Sequence, residues 1–227
     1  MGKFVSDKKK AQAVEPIKLD QDAVKFLKQF HALAREYRVN QIAGNAAIVT
    51  QTAAIAGAWN TAAGTPITDI LTGMGVVYNA TAGFTPNRIL MTVPVALKII
   101  QTTEWQEYFK YRGDVPSTGD ALFNAVSGLA NLGLEVMLTS IHGLSEYKCT
   151  ASDPHTESLW DDNVLLFYCE PTPSMETRTF MYSPYVVKDQ VFSTRVPRRR
   201  GVYHDIYSDI DELLVDASCG YLMTNVL

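Results

Sequence analysis

The chain has 227 residues, of which 47% are hydrophobic and 19% are charged, and its formal net charge is −4. This length allows one large domain or two small ones, and the apolar share supplies a sizeable core and excludes wholesale disorder. The charge balance gives no general attraction to nucleic acid or to an anionic membrane, and no apolar run reaches the roughly 18–20 residues that span a bilayer.

The first third of the chain is dominated by one long predicted helix. Residues 1–19 look like a loose basic arm without the apolar segment of a secretory signal. A helix from about Asp20 to Ala43 follows, because acidic residues suit its beginning and Gly44 suits its end. Its apolar side chains recur at spacings of three and four, and they are Phe26, Leu27, Phe30, Leu33, Ala34 and Tyr37. A rod of about 36 Å is long for an ordinary globular domain.

The stretch AWNTAAGTPITDILTGM, residues 58–74, combines a tryptophan, a turn of small residues and the start of a second helix. It follows a segment that is a plausible strand or extended link. Thr65 is placed to cap the helix, Pro66 falls at its first position and Asp69 lies near its positive end. Apolar residues then keep helical spacing until Gly83.

Short elements follow along residues 84–133. A turn at Pro86 precedes a short buried strand, RILMT, and a helix begins at Pro94. An aromatic helix, TEWQEYFKY, has Thr103 and Gln106 in the spacing of a capping box. The segment ALFNAVSGLANLG predicts a further helix.

Strands predominate in the remainder, at LEVMLTS, NVLLFYCE, YSPYVVK and GVYHDIYSDIDELLV. In the last of these, Val202, Ile206 and Ile210 share one face of the strand. Helices come early and strands late without regular alternation, so the sequence predicts an α+β fold.

Ionisable side chains form no recognisable catalytic or metal-binding motif. The histidines, His31, His142, His155 and His204, show neither HExxH nor HxH spacing, so a structural role is expected for each. Three separated cysteines without a CxxC pair favour a reducing compartment over a disulfide framework. The segment SDPHTESLWDD, residues 152–162, is either a solvated loop, the favoured interpretation, or a cation or acid–base site. We predict no cofactor, metal or catalytic residue.

Two further short motifs carry little weight. Gly73 and Gly75 lie inside a helical pattern and not in the strand-to-helix turn of a phosphate-binding loop. The tripeptide RGD, residues 112–114, is too short to indicate cell adhesion.

The densest positive charge lies in RVPRRRG, at Arg198, Arg199 and Arg200. Three interpretations stay open for this cluster: a contact between subunits, a solvated hairpin tip, or a nucleic-acid contact. A single cluster without interleaved aromatic residues is weak evidence for the last.

The order of these motifs resembles the central region of tailed-bacteriophage major capsid proteins. That family typically shows a tryptophan, a polar gap, a Pro-Ile-x-Asp-Ile helix, a glycine and then Pro-Asn before a strand. The matching residues here are Trp59, Pro66, Ile67, Asp69, Ile70, Gly83, Pro86 and Asn87. The end of the chain, DASCGYLMTNVL, is similar to the terminal strand of the family. The resemblance runs from about residue 20 to the end.

The resemblance implies the Hong Kong ninety-seven type coat fold, with a peripheral and an axial domain. Residues 1–19 would be an arm, and residues 20–58 would carry the long spine helix of the peripheral domain. Residues 59–165 would form the axial domain, a central sheet flanked by helices. Residues 166–212 would return to the peripheral domain as long strands, and residues 213–227 would form a strand in the axial domain.

The same resemblance gives places to two groups of candidate residues. Trp59, with Pro66 and Asp69, would form a hinge where the chain crosses between the domains. The cluster of Arg198, Arg199 and Arg200 would serve as a contact between subunits.

The function implied is that of a structural protein and not of an enzyme. The chain would self-assemble into hexamers and pentamers of an icosahedral shell that packages double-stranded DNA without sequence specificity. Its other partners would be virion proteins such as portal or decoration proteins, and no membrane. It would be made in the cytoplasm of a bacterial host and located in the virion capsid. Two alternatives are an encapsulin shell enclosing a cargo protein and, less favoured, a small cytosolic enzyme using Cys149 or His155.

Overall fold

The computed structural model describes residues 2–13, 18–55, 58–110, 121–139, 142–143, 157–172, 174 and 176–227. The helices in these ranges are α1 (Asp7–Gln12), α2 (Leu19–Ala43), α3 (Pro66–Thr81), α4 (Val93–Ile99), α5 (Thr103–Lys110) and α6 (Ala121–Ala130). The strands are β1 (Gly2–Ser6), β2 (Thr52–Ala54), β3 (Arg88–Thr92), β4 (Glu135–Thr139), β5 (His142–Gly143), β6 (Glu157–Ser158), β7 (Val164–Phe167), β8 (Met181–Tyr182), β9 (Tyr185–Val196), β10 (Gly201–Ile210), β11 (Leu213–Leu214) and β12 (Gly220–Thr224). The predicted α+β class is confirmed.

The chain divides into two compact units. The first unit comprises Met1–Arg38 and Ser183–Leu213, and the second comprises Val39–Tyr182 and Leu214–Leu227. The second unit therefore includes residues 39–58 and 166–182, which the sequence places in the peripheral domain. Local patterns do not reveal this boundary, because it divides α2 between Arg38 and Val39 without interrupting the helix.

The first unit packs the larger part of α2 against a sheet with the strand order β1-β10-β9. Both strand pairs are antiparallel, with Phe4 opposite Tyr203 and His204 opposite Ser193. Along β10, His204 and Ile206 are buried, whereas Tyr203 and Tyr207 are exposed. This alternation agrees with the two faces that the sequence predicts for this strand.

The second unit is built on a sheet with the order β2-β12-β7-β3-β4. Successive side chains along its strands belong alternately to two apolar clusters, so both faces of the sheet are covered. One cluster joins Ile89 and Leu166 to helices α3 to α6. The other joins Leu90 and Leu165 to side chains that include Ala43 at the end of α2.

Several predicted elements need correction. Residues 2–12 are not a loose arm, because β1 pairs with β10 and Ser6 caps α1 by accepting a hydrogen bond from the Lys9 amide at 3.3 Å. The segment YSPYVVK is not one strand, because Pro184 separates β8 from β9 and cannot donate to a ladder. The partner of β1 lies about 200 residues away, so no local pattern reveals the pairing.

The predicted apolar stripe of α2 is only partly a core face. Leu27 is 1% exposed, but Phe26 and Tyr37 remain 47% and 53% exposed. Phe26, Phe30, Leu33 and Tyr37 follow one another at helical spacings of four, three and four residues, which places them on one flank of α2. The neighbouring sheet covers only part of this flank.

Candidate assembly surface

The stretch around Trp59 forms a packed joint inside the second unit. The indole is 1% exposed, and its Nε1 donates to Asp69 Oδ2 at 2.7 Å. The Trp59 amide also donates to the Val226 carbonyl at 2.9 Å. The first bond fixes the short 3-10 helix of residues 58–60 to the first turn of α3, and the second fixes it to the segment after β12.

The cap of α3 comes from another helix. Thr65 stands at the N-cap position but makes no side-chain capping bond, which corrects the predicted cap. The Glu104 carboxylate of α5 accepts instead from the amides of Ile67 and Thr68, at 2.8 and 3.2 Å. A carboxylate satisfies the free amides there and complements the positive end of the helix. Thr68 Oγ1 bonds to the same carboxylate.

The capping box predicted for α5 is replaced by a single N-cap bond one residue earlier. Thr103 already belongs to the helix, and Thr102 Oγ1 accepts the bond from the Trp105 amide at 3.4 Å. Thr102 is fully buried, so water does not compete for its bond with the Trp105 amide. The Thr103–Gln106 spacing pointed to the right turn of the chain but to the wrong residue.

A hinge role for Trp59, Pro66 and Asp69 stays a prediction without support from their positions. All three lie within the second unit, whereas the chain passes between units after Arg38, Tyr182 and Leu213. Trp59 belongs to a large apolar cluster of that unit. Its structural role is therefore anchorage of α3 in a core.

Arg198, Arg199 and Arg200 lie at the tip of the β9–β10 hairpin. A 3-10 turn of Pro197–Arg199 leads into Arg200, which has a left-handed backbone with φ 47°. All three side chains are exposed. The carbonyl of Arg200 accepts from the Asp7 amide at 2.8 Å, so the N-terminal segment supports the tip. The arrangement is compatible with both a solvated tip and a contact between subunits.

The face of the first unit's sheet that lies opposite α2 is aromatic and exposed. Tyr203 and Tyr207 lie on this face of β10, and Phe192 of β9 stands opposite Asp205 between them. Phe192 and Tyr207 are 51% and 52% exposed. Phe4 of β1 adds a fourth ring beside Tyr203. Exposed apolar surface of this kind marks contacts with other molecules more often than chance.

Polar contacts connect α2 to β10 and to the residues just after it. Arg38 donates to both oxygens of Glu212 at 2.9 Å, and the Glu212 side chain is only 5% exposed. This bidentate bond raises the pKa of the Arg38 guanidinium. Ser208 Oγ and His31 Nε2 are 2.7 Å apart. Neither pair lies close in sequence, so sequence reasoning missed both.

A second polar chain joins the N-terminal segment to the same sheet. Lys10 Nζ is 2.7 Å from Asp20 Oδ2, and His204 Nε2 is 2.9 Å from Asp20 Oδ1. His204 Nδ1 is 2.8 Å from Ser193 Oγ. The bond from Lys10, followed by that from His204, lowers the pKa of the Asp20 carboxyl. His31 and His204 are thus both engaged in structural hydrogen bonds, as the sequence predicts.

The segments considered for catalysis lie mostly outside the described residues. These are Cys149, His155 and the first part of the 152–162 loop, and the RGD tripeptide of residues 112–114, which was considered for cell adhesion, also lies outside the described residues. Asp162 is described, and its Oδ2 accepts from the Leu227 amide at 3.3 Å. Burial raises the pKa of the Cys219 thiol to about 11, which keeps it protonated near neutral pH. Among the described residues, no cluster of His, Cys, Asp and Glu could hold a metal ion.

Comparison with models of known families gives no match, and comparison with curated proteins gives none either. Solved structures do match over nearly the whole chain. A phage-related protein from Bordetella bronchiseptica has a TM-score of 0.78 at 19% identity, over 100% of this chain and 74% of its own. The capsid of cyanophage P-SCSP1u gives 0.59 at 11% identity, over 98% and 70%.

An encapsulin complex from Synechococcus elongatus gives a TM-score of 0.51 at 11% identity, over 100% of this chain and 72% of its own. In the part of the chain that is described, no helix is long and apolar enough to cross a membrane. The fold expected from the sequence motifs is confirmed. The chain has the Hong Kong ninety-seven type fold that phage capsid proteins and encapsulins share.

Proposed function

We propose that this chain is the major capsid protein of a tailed phage, a structural protein and not an enzyme. It assembles into hexamers and pentamers of an icosahedral shell around double-stranded DNA. One observation carries the proposal: the fold agrees with phage capsid structures over 98% of the chain or more.

The exposed aromatic residues of the first unit support this proposal. Identical subunits in rings and shells meet through extensive, permanent contacts, which often bury about 2,000 Å² or more. Phe192 and Tyr207 on the sheet, and Phe26 and Tyr37 on α2, are each about half exposed in the single chain. A neighbouring subunit would remove these rings from water.

The parts of the molecule take the roles that the resemblance implies. The first unit, with α2 as the spine helix, is the peripheral domain, and the second unit is the axial domain around the capsomer centre. Arg198, Arg199 and Arg200 contact a neighbouring subunit. Portal or decoration proteins of the virion are the other protein partners, and the packaged DNA is held without sequence specificity. The chain is made in the host cytoplasm and ends in the virion capsid.

Electron microscopy of the purified protein tests the proposal directly. We expect rings or closed shells, and we expect the content of shells formed in cells to be DNA. Protein that stays monomeric at high concentration, without rings or shells, would contradict the proposal. Mass measurement of the same sample separates capsomers from non-specific aggregates.

The encapsulin structure favours a second candidate, a compartment that encloses a cargo protein. Its TM-score of 0.51 is close to the 0.59 of the cyanophage capsid, so the fold alone does not separate the two. The contents of the particle do. Nuclease-protected DNA supports the phage capsid, whereas one co-purifying enclosed protein supports the encapsulin.

A further inference from the structure

The longest strand of the first unit lies at the edge of its sheet. β9 covers twelve residues, Tyr185–Val196, and the strand order is β1-β10-β9. Within the described residues, β9 pairs with β10 on one side and with no strand on the other. Its free backbone amides and carbonyls form a row that another strand can pair with.

The usual protections of an exposed edge are weak along β9. Its sequence, YVVKDQVFSTRV, contains neither proline nor glycine, and Val186 and Phe192 are 83% and 51% exposed. The register with β10 shifts between Gln190 and Val187, so one irregularity lies near the start of the strand, beside Asp189, and the pairing is regular from Gln190 to Val196. Three charged residues and this irregularity are the protections that β9 does carry, and its length and exposed apolar side chains still indicate pairing with another chain.

The charges of β9 are arranged so that the strand complements itself. Two copies related by a twofold axis through Phe192 would run antiparallel and place Asp189 of each copy opposite Arg195 of the other. Residues directly opposite in an antiparallel pair share one face of the sheet. Asp189 and Arg195 meet this condition on the α2 side, because Asp189 lies 3.6 Å from His31 and Arg195 stands opposite Val202.

No other register pairs opposite charges on one face. The third charged residue of β9, Lys188, is next to Asp189, and in the register centred on Phe192 it stands opposite Val196. Asp189 and Arg195 are accessible for new pairing, with side chains 49% and 75% exposed. Their present ionic distances, 3.6 Å to His31 and 3.5 Å to Asp7, are long. Phe192 would meet its own copy on the aromatic face.

We infer that β9 is a self-association edge whose occupant is the β9 strand of a second copy of this chain, antiparallel and centred on Phe192. The contact continues the sheet across two subunits. The contact is the same whether a shell encloses DNA or a cargo protein. The inference therefore goes beyond the proposed function, which names no contact between particular strands.

Charge reversal tests the register. Asp189→Arg alone places two arginines opposite each other twice in the dimer, and Arg195→Asp alone does the same with aspartates. Each variant should therefore associate at least about tenfold more weakly than the unchanged chain. A mixture of the two variants restores both opposite-charge pairs and should associate as tightly as the unchanged chain. Sedimentation velocity with one variant fluorescently labelled measures both affinities.

Restored association in the mixture also shows that both variants fold. Lys188→Glu is the matched control, because it reverses a charge of the same strand opposite a valine and should leave association unchanged. The inference is wrong if the single variants associate like the unchanged chain, or if the mixture is no better than either variant alone.

Disulfide trapping locates the axis independently. In the full chain with Cys149→Ser and Cys169→Ser, Phe192→Cys should form a covalent dimer with copper phenanthroline as oxidant. Thr194→Cys is the control, because its copies would stand more than about 13 Å apart along the strands, beyond the reach of a disulfide. Equal trapping at both positions, or none at residue 192, overturns the inference. Shells without this crosslink would refute only the edge contact, and the crosslink without shells would refute only the proposed function.

Discussion

The second unit buries many large apolar side chains, whereas the first unit buries few and exposes many. In the described part of the first unit, the buried apolar side chains are Val5, Ala23, Leu27 and Ile206. They are accompanied by the buried polar side chains of His204 and Glu212. The second unit covers both faces of its sheet with apolar clusters. The second unit therefore depends on packing, whereas the first depends on ion pairs and on surfaces that a neighbour would complete.

The largest test of this difference is the removal of a core ring from the second unit. Trp59→Ala should lower the free energy of unfolding by about 3–5 kcal/mol, because a fully buried ring and its bond to Asp69 are lost. Chemical denaturation measures the change. Leu71→Ala in α3, where Leu71 is 48% exposed, should change stability by less than about 0.5 kcal/mol. Equal effects of the two variants would show that the second unit is not governed by packing.

Two glycines in α3 test the same packing, because their replacement by alanine should change the stability in opposite directions. A methyl group at Gly73 would lie 2.6 Å from the Tyr221 ring and 2.9 Å from Leu166, whereas Gly75 has no atom within 4 Å. Gly73→Ala should destabilise the protein by about 2 kcal/mol through overpacking. Gly75→Ala should stabilise it by up to about 1 kcal/mol through helix propensity. Thermal unfolding measures both, and a stabilising Gly73→Ala would contradict the tight contact.

The first unit should respond instead to loss of an ion pair. Within the described residues, Arg38→Ala leaves the buried Glu212 carboxylate with Arg35 as its remaining ionic partner, whose Nε lies 3.8 Å away. We expect a loss of about 2 kcal/mol, measured by denaturation and by faster amide exchange in β10. Arg35→Ala is the control and should cost less. If the two replacements lower the stability equally, the bidentate bond of Arg38 contributes no more than the contact of Arg35.

The smallest expected effect is a pH dependence from Asp20. The folded state lowers the pKa of this carboxyl, chiefly through Lys10 and then His204. The contribution to stability is therefore present above the pKa of the unfolded chain and is lost as the pH falls below about 4 toward the folded value. Asp20→Asn should flatten the stability profile in this acid range and leave its shape unchanged near neutral pH. An unchanged acid slope would contradict the assignment.

The sequence predicted the elements whose signals are local. Helical periodicity and Pro66 at the first position located α3, and the apolar run RILMT located β3. What it missed depends on residues distant in the chain. Glu104 caps α3 across 36 and 37 positions, and Glu212 binds Arg38 across 174.

The candidate surface was predicted less well than the fold, for a physical reason. The charge run at Arg198 to Arg200 is visible in the sequence, and an exposed hairpin tip was one of the three interpretations that it left open. The edge position of β9 depends on the strand order, which periodicity does not specify. The match of Asp189 with Arg195 becomes visible only when the free edge is known.

The place of β12 in its sheet has a consequence for how the chain acquires its structure. Residues 220–224 lie between β2 and β7, so the centre of the sheet is completed by a segment made about 165 residues after β2. Contacts between such distant segments slow folding. Until β12 arrives, β7 and β2 present unpaired edges that can capture strands of other nascent chains. We therefore expect expression temperature and chaperone supply to limit the yield of correctly folded subunits.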